Sequence, residues 1–302
     1  NYFFFVAEEL RQIMAEMGFR TVEEMIGRVD RIDTRRVRRH WKAHGVDLGR
    51  ILHQVPLEDG KLPRHTEDQD HGLESAMDVE LIEATNDAVA SGTPIVLQRE
   101  IRNVNRTVGA MLSGRIAEAK GHTGLAPDTI RIEFTGVAGQ SFGAWAAHGL
   151  ALDLTGDAND YVGKGLSGGR IIVKPPKDAP REPTENIIVG NTVLYGAIAG
   201  EAYFSGVAGE RFAVRNSGAV AVVEGTGDHP CEYMTGGVVC VLGRTGRNFG
   251  AGMSGGIAYV YDPEGTFDTR VNPAQVDVLP IAASDEGSER SWGEPQQRPV
   301  SV

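Results

Sequence analysis

The chain has 302 residues and a formal net charge of −11, from 30 basic and 41 acidic side chains. Nucleic-acid phosphates and anionic lipid head groups repel such a surface, so we expect neither a nucleic-acid nor a membrane partner. The two cysteines, Cys231 and Cys240, form no CxxC pair, which excludes a disulfide framework and a thiolate-only metal site. No apolar run approaches the roughly 20 residues that span a bilayer. These features predict a cytoplasmic protein.

Two helices are expected at the start of the chain. Apolar residues from Phe3 to Met17 recur every three or four positions, a pattern typical of an amphipathic helix, and Gly18 is a stop signal. Thr21 and Glu24 form a capping box that begins a second, short helix. Because the sequence opens at Asn1 directly into a helical pattern, we expect the chain to be the C-terminal piece of a longer protein.

Residues 28–42 contain seven basic side chains, a pattern that can indicate nucleic-acid binding. In so acidic a chain we interpret them as a solvated face or as a contact with an acidic neighbouring domain. Residues 54–72 are polar and aperiodic, which predicts a surface linker. Beyond the linker we expect a helix from Ser75 to Gly92, a strand at 95–101 and a helix at 107–120.

Glycine is concentrated in the middle of the chain, where 26 of the 39 glycines lie between residues 131 and 265. In this region short strand-forming runs follow a glycine at intervals of 18 to 20 residues, with one proline-rich interval of 31. The runs are Leu150–Leu154, Arg170–Lys174, Glu201–Ser205, Ala219–Val223, Val238–Leu242 and Ile257–Tyr261, after Gly149, Gly169, Gly200, Gly218, Gly237 and Gly256.

A second column runs through Phe142, Val162, Phe212, Cys231 and Phe249 at steps of 18 to 20 residues, except for one step of 50 that equals two coils plus the proline-rich insertion. Two such columns indicate the rungs of a solenoid that stack around a shared core. A rung of about 19 residues has no room for a helix and must turn sharply, which glycine allows. The fold class is therefore mainly β: a right-handed parallel β-helix of about seven coils over residues 130–265, with an N-terminal helical segment.

Two segments match the G-x-G-x-x-G fingerprint of dinucleotide-binding proteins, one at Gly163, Gly165 and Gly168 and one at Gly250, Gly252 and Gly255. That fingerprint requires a following helix whose N-terminus binds a pyrophosphate. Here each match runs directly into a predicted strand, and the two occupy equivalent places in the repeat. We therefore interpret both as solenoid corners.

The acidic group of Asp153, Asp157, Asn159 and Asp160 resembles a calcium loop only superficially. Read from Asp157, the glycine and glutamate of an EF-hand are missing, so turn residues with local hydrogen bonds are expected.

His40 and His44 have the spacing of two metal ligands on a helix, but no third ligand is near and H-E-x-x-H is absent. Cys231 falls in a column of apolar residues and is interpreted as a small core residue. We expect no catalytic, cofactor-binding or metal-binding residue in this chain.

Several segments resemble the GXGXG domain of the glutamate synthase large subunit, a right-handed β-helix, and the first residues resemble the end of its FMN-binding synthase barrel. The segments are FVAEELRQIMAEMGFRTVEEMIGR at 5–28, NRTVGAMLSGRIA at 105–117, GVAGQSFGAW at 136–145, DANDYVGKGLSGG at 157–169, GNTVLYGA at 190–197 and TGGVVCVLG at 235–243.

The resemblance implies an oxidoreductase that acts on CH–NH2 donors and makes two L-glutamate from L-glutamine and 2-oxoglutarate with reducing equivalents. FMN and a 3Fe–4S cluster serve the large subunit in that family, and FAD and NADPH act through the small subunit. The partners implied are the upstream amidotransferase and FMN-binding domains and the small subunit. The segment itself is expected to be an inactive scaffold that binds none of these cofactors.

We expect four parts: barrel helices at 1–53, a linker and helix at 54–92, the GXGXG domain at 93–280, and a disordered tail at 281–302, which is rich in polar residues. Two alternatives remain open. One is a subunit of a formylmethanofuran dehydrogenase-like complex, and the other is a carbohydrate-active β-helix enzyme.

Overall fold

A computed structural model describes residues 1–58, 61, 64–180 and 182–281. The tail expected to be disordered lies outside the described residues, apart from Ile281. Contacts divide the chain into two units, Asn1–Gly72 and the residues from Leu73 onward. The four-part division expected from the sequence stays a prediction.

The first unit is helical and contains α1 (Tyr2–Met17), α2 (Val22–Met25) and α3 (Thr34–Arg39). Gly18 ends α1 in the left-handed region at φ 81°, as expected. The capping box also forms, because the Glu24 amide donates to Thr21 Oγ1 (3.2 Å) and the Glu24 carboxylate accepts from the amide of Arg20 (2.8 Å). The described residues of the predicted linker contain neither helix nor strand.

The second unit begins with helix α4 (Met77–Ser91), and α5 (Ala110–Lys120) follows the first strand. All strand pairings are parallel, in the order β1-β2-β3-β4-β6-β7-β8-β9, with β5 beside β3 and β6. The strands are β1 Ile95–Ile101, β2 Ile130–Ala138, β3 Leu150–Ala158, β4 Ser167–Lys174, β5 Ile187–Val189, β6 Ala199–Ala208, β7 Ser217–Thr226, β8 Thr235–Val241 and β9 Gly255–Val260.

The inward residues of the strands stack on their equivalents in the next rung, as a solenoid requires. Each fully buried Val, Leu, Ile or Phe among them contributes about 1.5–3 kcal/mol to stability relative to an exposed one. One column consists of Ile132, Leu152, Ile171, Ala202, Ala221 and Val239, and the next of Phe134, Leu154, Val173, Phe204, Val223 and Val241.

The predicted parallel β-solenoid with an N-terminal helical part is confirmed, with a small difference in coil count. Between residues 130 and 260 the seven ladder strands β2, β3, β4, β6, β7, β8 and β9 enclose six turns. Seven coils were expected because strands, and not the turns between them, were counted. The ladder also begins earlier than expected, since β1 pairs along its whole length with β2.

One corner of each of six turns has a repeated backbone geometry in which every second residue is left-handed. The three positions per corner give eighteen left-handed residues, and only six of them are glycine. The corners are Ser141, Gly143 and Trp145; Tyr161, Gly163 and Gly165; Thr192, Leu194 and Gly196; Arg211, Ala213 and Arg215; His229, Cys231 and Tyr233; and Asn248, Gly250 and Gly252.

Hydrogen bonds between successive corners hold this geometry. The first and third residues of a corner donate to the next corner, as Arg211 N–H does to Asp228 O (2.9 Å) and Arg215 N–H does to Glu232 O (2.8 Å). The middle residue donates to the preceding corner, as Ala213 N–H does to Val193 O (2.8 Å). A left-handed conformation costs an ordinary residue roughly 1–2 kcal/mol, so these bonds offset a real strain.

The glycine column expected before the strands is partly correct. Gly169, Gly200, Gly237 and Gly256 precede strand residues that share one register. Two predicted members are out of register. Ala151 pairs with Arg170, so Leu150 takes the place assigned to Gly149. In the rung of β7, Glu201 pairs with Val220, so Ala219 takes the place assigned to Gly218. The sequence interval could not reveal this shift because a β-bulge precedes Val220 in the ladder.

Gly237→Val is expected to lower the free energy of unfolding by about 3 kcal/mol, because a β-branched residue is strained at φ 81°. A Cβ there would also lie only 2.8 Å from Asn216 Nδ2 and 3.0 Å from the amide nitrogen of Ala219. Denaturant unfolding of the purified chain measures the effect.

Two variants serve as controls for that measurement. Gly114→Val adds the same side chain in α5, where a Cβ meets nothing within 4 Å, and Lys177→Ala truncates an exposed side chain. Both should change stability by less than about 0.5 kcal/mol. A Gly237→Val chain as stable as these controls would show that the column is not structural.

Candidate functional site

The first Gly-x-Gly-x-x-Gly segment is a solenoid corner whose glycines make room for the protein's own side chains. A Cβ on Gly163 would lie 2.6 Å from Cδ2 of Leu194, and one on Gly165 would lie 2.6 Å from Cδ1 of Trp145. At Gly168 the ring of His148 occupies the corresponding space. Strand β4 begins at Ser167, so no helix N-terminus follows to bind a phosphate.

The second segment is built in the same way and lies nearer the C-terminal end of the solenoid. A Cβ on Gly250 would lie 3.0 Å from Val276, and one on Gly252 would lie 2.7 Å from the ring of Tyr233. Gly255 starts strand β9 and lies against the backbone of Thr235. Neither segment offers a cradle that a nucleotide phosphate fits.

The acidic group suggested by the sequence does not converge on one point. The Asp160 carboxylate accepts a hydrogen bond from the amide of Asn191 in the next corner (2.7 Å), and the Asn159 side chain donates to Ala138 O (2.9 Å). Asp153 lies in β3 and is paired elsewhere. Across the ranges that the structure describes, no three His, Cys, Asp or Glu side chains are grouped to hold a metal ion.

His40 and His44, which the sequence analysis discounted as metal ligands, belong to no group of three potential ligands in the described part of the chain. His40 precedes a short 3-10 turn and its Nδ1 accepts the amide of Lys42 (3.3 Å). This is a capping contact of the kind that local backbone geometry explains.

Cys231 is fully buried, as expected of a core residue, but it lies one position away from its predicted column. Its amide donates to Phe212 O, whereas the amide of Ala213 donates to Val193 O, so Cys231 stacks on Ala213. Pro230 therefore takes the place of the aromatic residue, because this coil is one residue shorter than the one before. Burial raises the pKa of the Cys231 thiol to about 12.

One polar surface that sequence reasoning missed is a cleft of about 640 Å³ on the outer face of β1 to β4. Asp153 lies at its floor with only 4% of its surface exposed. It pairs with Arg131 Nη2 of the preceding strand (2.7 Å) and with Lys174 Nζ of the following strand (2.6 Å). The alternation of charged residues in the strands was the available signal.

The charges that line this cleft are largely neutralised within the protein. Arg99 pairs with Glu80 (2.7 Å), and Arg131 also approaches Glu133 (3.3 Å). The ion pairs in the cleft therefore link the three rungs of β2, β3 and β4. The described residues of the cleft include neither a paired nucleophile and base nor a set of metal ligands.

A second ion-pair network also links neighbouring rungs, and its charges are likewise neutralised within the protein. Arg170 Nε pairs with Glu201 (2.8 Å) and its Nη1 pairs with Asp128 (2.6 Å). Tyr203 donates weakly to the same glutamate (3.4 Å), and its pKa is raised, mainly by burial.

Asp78 is a buried carboxylate that the sequence placed at the start of α4 but whose partners lie at the start of α5. It accepts hydrogen bonds from the amides of Gly109 (2.7 Å), Met111 (2.7 Å) and Leu112 (3.2 Å). Burial raises the pKa of Asp78, while these three bonds favour its ionised form. Its role is to cap α5 and to join the two helices.

Within the described ranges, no helix is both long and apolar enough to cross a membrane. The sequence profile of a family described as GXGXG motif matches residues 78–291.

Three relatives match nearly the whole chain. Glutamate synthase [NADH] of Schizosaccharomyces pombe is 52% identical over 287 residues, which are 95% of this chain and 14% of that protein. The glutamate synthase [NADPH] large chain of Bacillus subtilis is 50% identical over 263 residues, 86% of this chain and 17% of that one. Ferredoxin-dependent glutamate synthase 2 of Synechocystis sp. is 43% identical over 288 residues, 94% and 18% respectively. The chain thus spans less than a fifth of the length of these relatives.

These relatives favour the glutamate synthase resemblance over the two alternatives, the formylmethanofuran dehydrogenase-like subunit and the carbohydrate-active enzyme.

At pH 8 a thiol reagent such as DTNB is expected to leave Cys231 of the native chain unmodified. With a pKa near 12, only about one thiol in ten thousand is ionised, and the residue is fully buried. Cys240 provides the internal comparison because it is partly exposed, although burial raises its pKa as well. Denaturation should make both thiols reactive, and rapid modification of native Cys231 would contradict its place in the core.

Proposed function

The chain belongs to the GXGXG motif family, and from this premise we propose that it is the C-terminal segment of a glutamate synthase large chain. The observation that carries the proposal is the identity of 50–52% to two such proteins over most of this chain. The whole protein would transfer the amide nitrogen of glutamine to 2-oxoglutarate with reducing equivalents, and so would be an oxidoreductase that forms two glutamate.

Within that protein the segment serves as a scaffold and carries no catalytic, cofactor-binding or metal-binding residue. Asp153 and Arg170 form ion pairs with charges of neighbouring rungs, and the glycine-rich corners are filled by Trp145, His148 and Tyr233. Six turns at about 4.8 Å each form a rod about 29 Å long. Such a rod can hold neighbouring domains at a fixed separation.

FMN and a 3Fe–4S cluster belong to the proposed parent enzyme, and the residues of this chain do not fit either group. An iron–sulfur cluster needs several cysteine thiolates, and the only two cysteines here include Cys231, whose thiol stays protonated in the core. Both Gly-x-Gly-x-x-Gly corners lack the helix N-terminus that a flavin phosphate would use. The cofactors would be bound by domains outside this segment.

The partners proposed are the amidotransferase and FMN-binding domains of the same large chain and a small FAD- and NADPH-binding subunit. The relatives are named for NADH, NADPH and ferredoxin, so no single electron donor is proposed. Residues 1–53 would end the FMN-binding barrel and 93–280 would form the scaffold, joined through 54–92. The proposed compartment is the cytoplasm.

A chimera tests this function directly. The chimera is the Bacillus subtilis large chain in which this segment replaces the matching region. It is expressed in Bacillus subtilis cells that lack their own large chain. Glutamate formation from glutamine and 2-oxoglutarate in extracts is expected to return, because the segment supplies an equivalent scaffold. An inactive but fully folded chimera would contradict the proposal.

Two comparisons accompany the chimera. The same protein without residues 93–280 should lose coupled activity, since its neighbouring surfaces would be left uncovered. The isolated 302-residue chain should show no flavin spectrum and release no ammonia from glutamine. A flavin spectrum or ammonia release from the isolated chain would contradict its role as a scaffold.

A further inference from the structure

The outward face of the left-handed corners carries a row of aromatic and basic side chains. They occupy five successive corners and are called here the aromatic–basic ridge. Its members are Trp145, Tyr161, Lys164, Tyr195, Arg215 and Tyr233.

Hydrogen bonds between corners fix the register of the ridge. Trp145 N–H donates to Lys164 O (2.8 Å), and Gly165 N–H donates to Tyr195 O (2.8 Å). The same ladder continues through Arg215 N–H to the corner of Tyr233. Five corners span four steps, so at about 4.8 Å per step the ridge is about 19 Å long.

The ridge is both rigid and exposed. The Trp145 ring lies over Gly165, and Lys164 Nζ lies 4.9 Å from the centre of that ring and 5.5 Å from the centre of the Tyr161 ring. The Tyr233 ring lies in the same way over Gly252. Even so, 50% of Trp145 and 56% of Tyr233 remain exposed. Large aromatic groups fixed in place and left in water are characteristic of binding hot spots.

The charge of the ridge is opposite in sign to that of the whole chain. Among the described residues no carboxylate forms an ion pair with Lys164 or Arg215. Two carboxylates adjoin ridge residues in the sequence, and both have partners within the protein. Glu232 is paired with Arg211 (3.3 Å) and His229 (2.8 Å), and Asp160 accepts a hydrogen bond from the amide of Asn191 (2.7 Å). A surface that complements the ridge must therefore present carboxylates next to apolar groups.

We propose that the aromatic–basic ridge docks against a carboxylate-bearing protein surface supplied by the remainder of the same large chain. This inference rests on the proposed function. More than four fifths of each relative lies outside the region that matches this segment, and a surface on the same polypeptide is present at high effective concentration. Trp, Tyr and Arg are also the residues most enriched at such contacts.

Photo-crosslinking in the chimera with the Bacillus subtilis relative tests the ridge. Benzoylphenylalanine replaces Trp145 or Tyr233, and in a matched control it replaces Tyr261, which is 64% exposed and outside the ridge. The ridge positions are expected to cross-link, within one polypeptide, to peptides rich in Asp and Glu that lie outside this segment. The control should not reach those peptides.

Charge reversal provides the second arm. Lys164→Glu combined with Arg215→Glu should reduce the cross-link yield from benzoylphenylalanine at position 233 by about tenfold, because repulsive charges replace attractive ones. Lys164→Arg with Arg215→Lys should preserve the yield. Raised salt should lower the yield in the same direction.

Other results would overturn the proposal. The absence of any cross-link, or cross-links only to a second copy of the chimera or to nucleic acid, would each show that the ridge has a different role or none. Glutamate formation by the same chimera is measured in parallel. An active chimera that forms no cross-link would contradict the ridge proposal and leave the proposed function standing. An inactive chimera would count against the proposed function itself.

Discussion

Each coil of the solenoid passes through a corner in which alternate residues are left-handed, and hydrogen bonds to the coils on both sides hold that corner in place. Most of the residues concerned are not glycine, so the conformation is imposed by neighbouring coils rather than chosen locally. No coil can keep this geometry without its neighbours. The stacked core columns, the ion-pair networks between rungs and the exposed ridge all depend on this mutual support.

The same constraint supports the proposal that the chemistry of the enzyme lies in other domains. Inward positions are filled by aliphatic and aromatic side chains, and the buried carboxylate of Asp153 is held by cations from both neighbouring strands. Removing one member of such a buried pair is costly because it leaves the other charge uncompensated. A rod built in this way suits the spacing of domains, and its exposed rows of side chains are where contacts with other parts of the large chain can form.

The repeat and its strands could be predicted because β-branched runs and glycines recur at one interval, and hydrophobic columns mark the core. The left-handed state of Leu194, Ala213 and Cys231 could not, since these residue types have no preference for it. Cys231 was assigned to the wrong column because its coil is one residue shorter than the coil before it, so that Pro230 takes the place of the aromatic residue. Asp78 was placed at a helix start, but its partners lie more than 30 residues further along the chain.

Amide hydrogen exchange measured residue by residue tests the importance of the corners most directly. If the corner ladder supports the solenoid, the amides of Tyr161, Ala213 and Cys231 should exchange as slowly as those in the middle of β3 and β7. The described linker amides at 64–72 provide the fast reference within the same chain. Corner amides that exchange as fast as the linker, while the strands remain protected, would contradict the account.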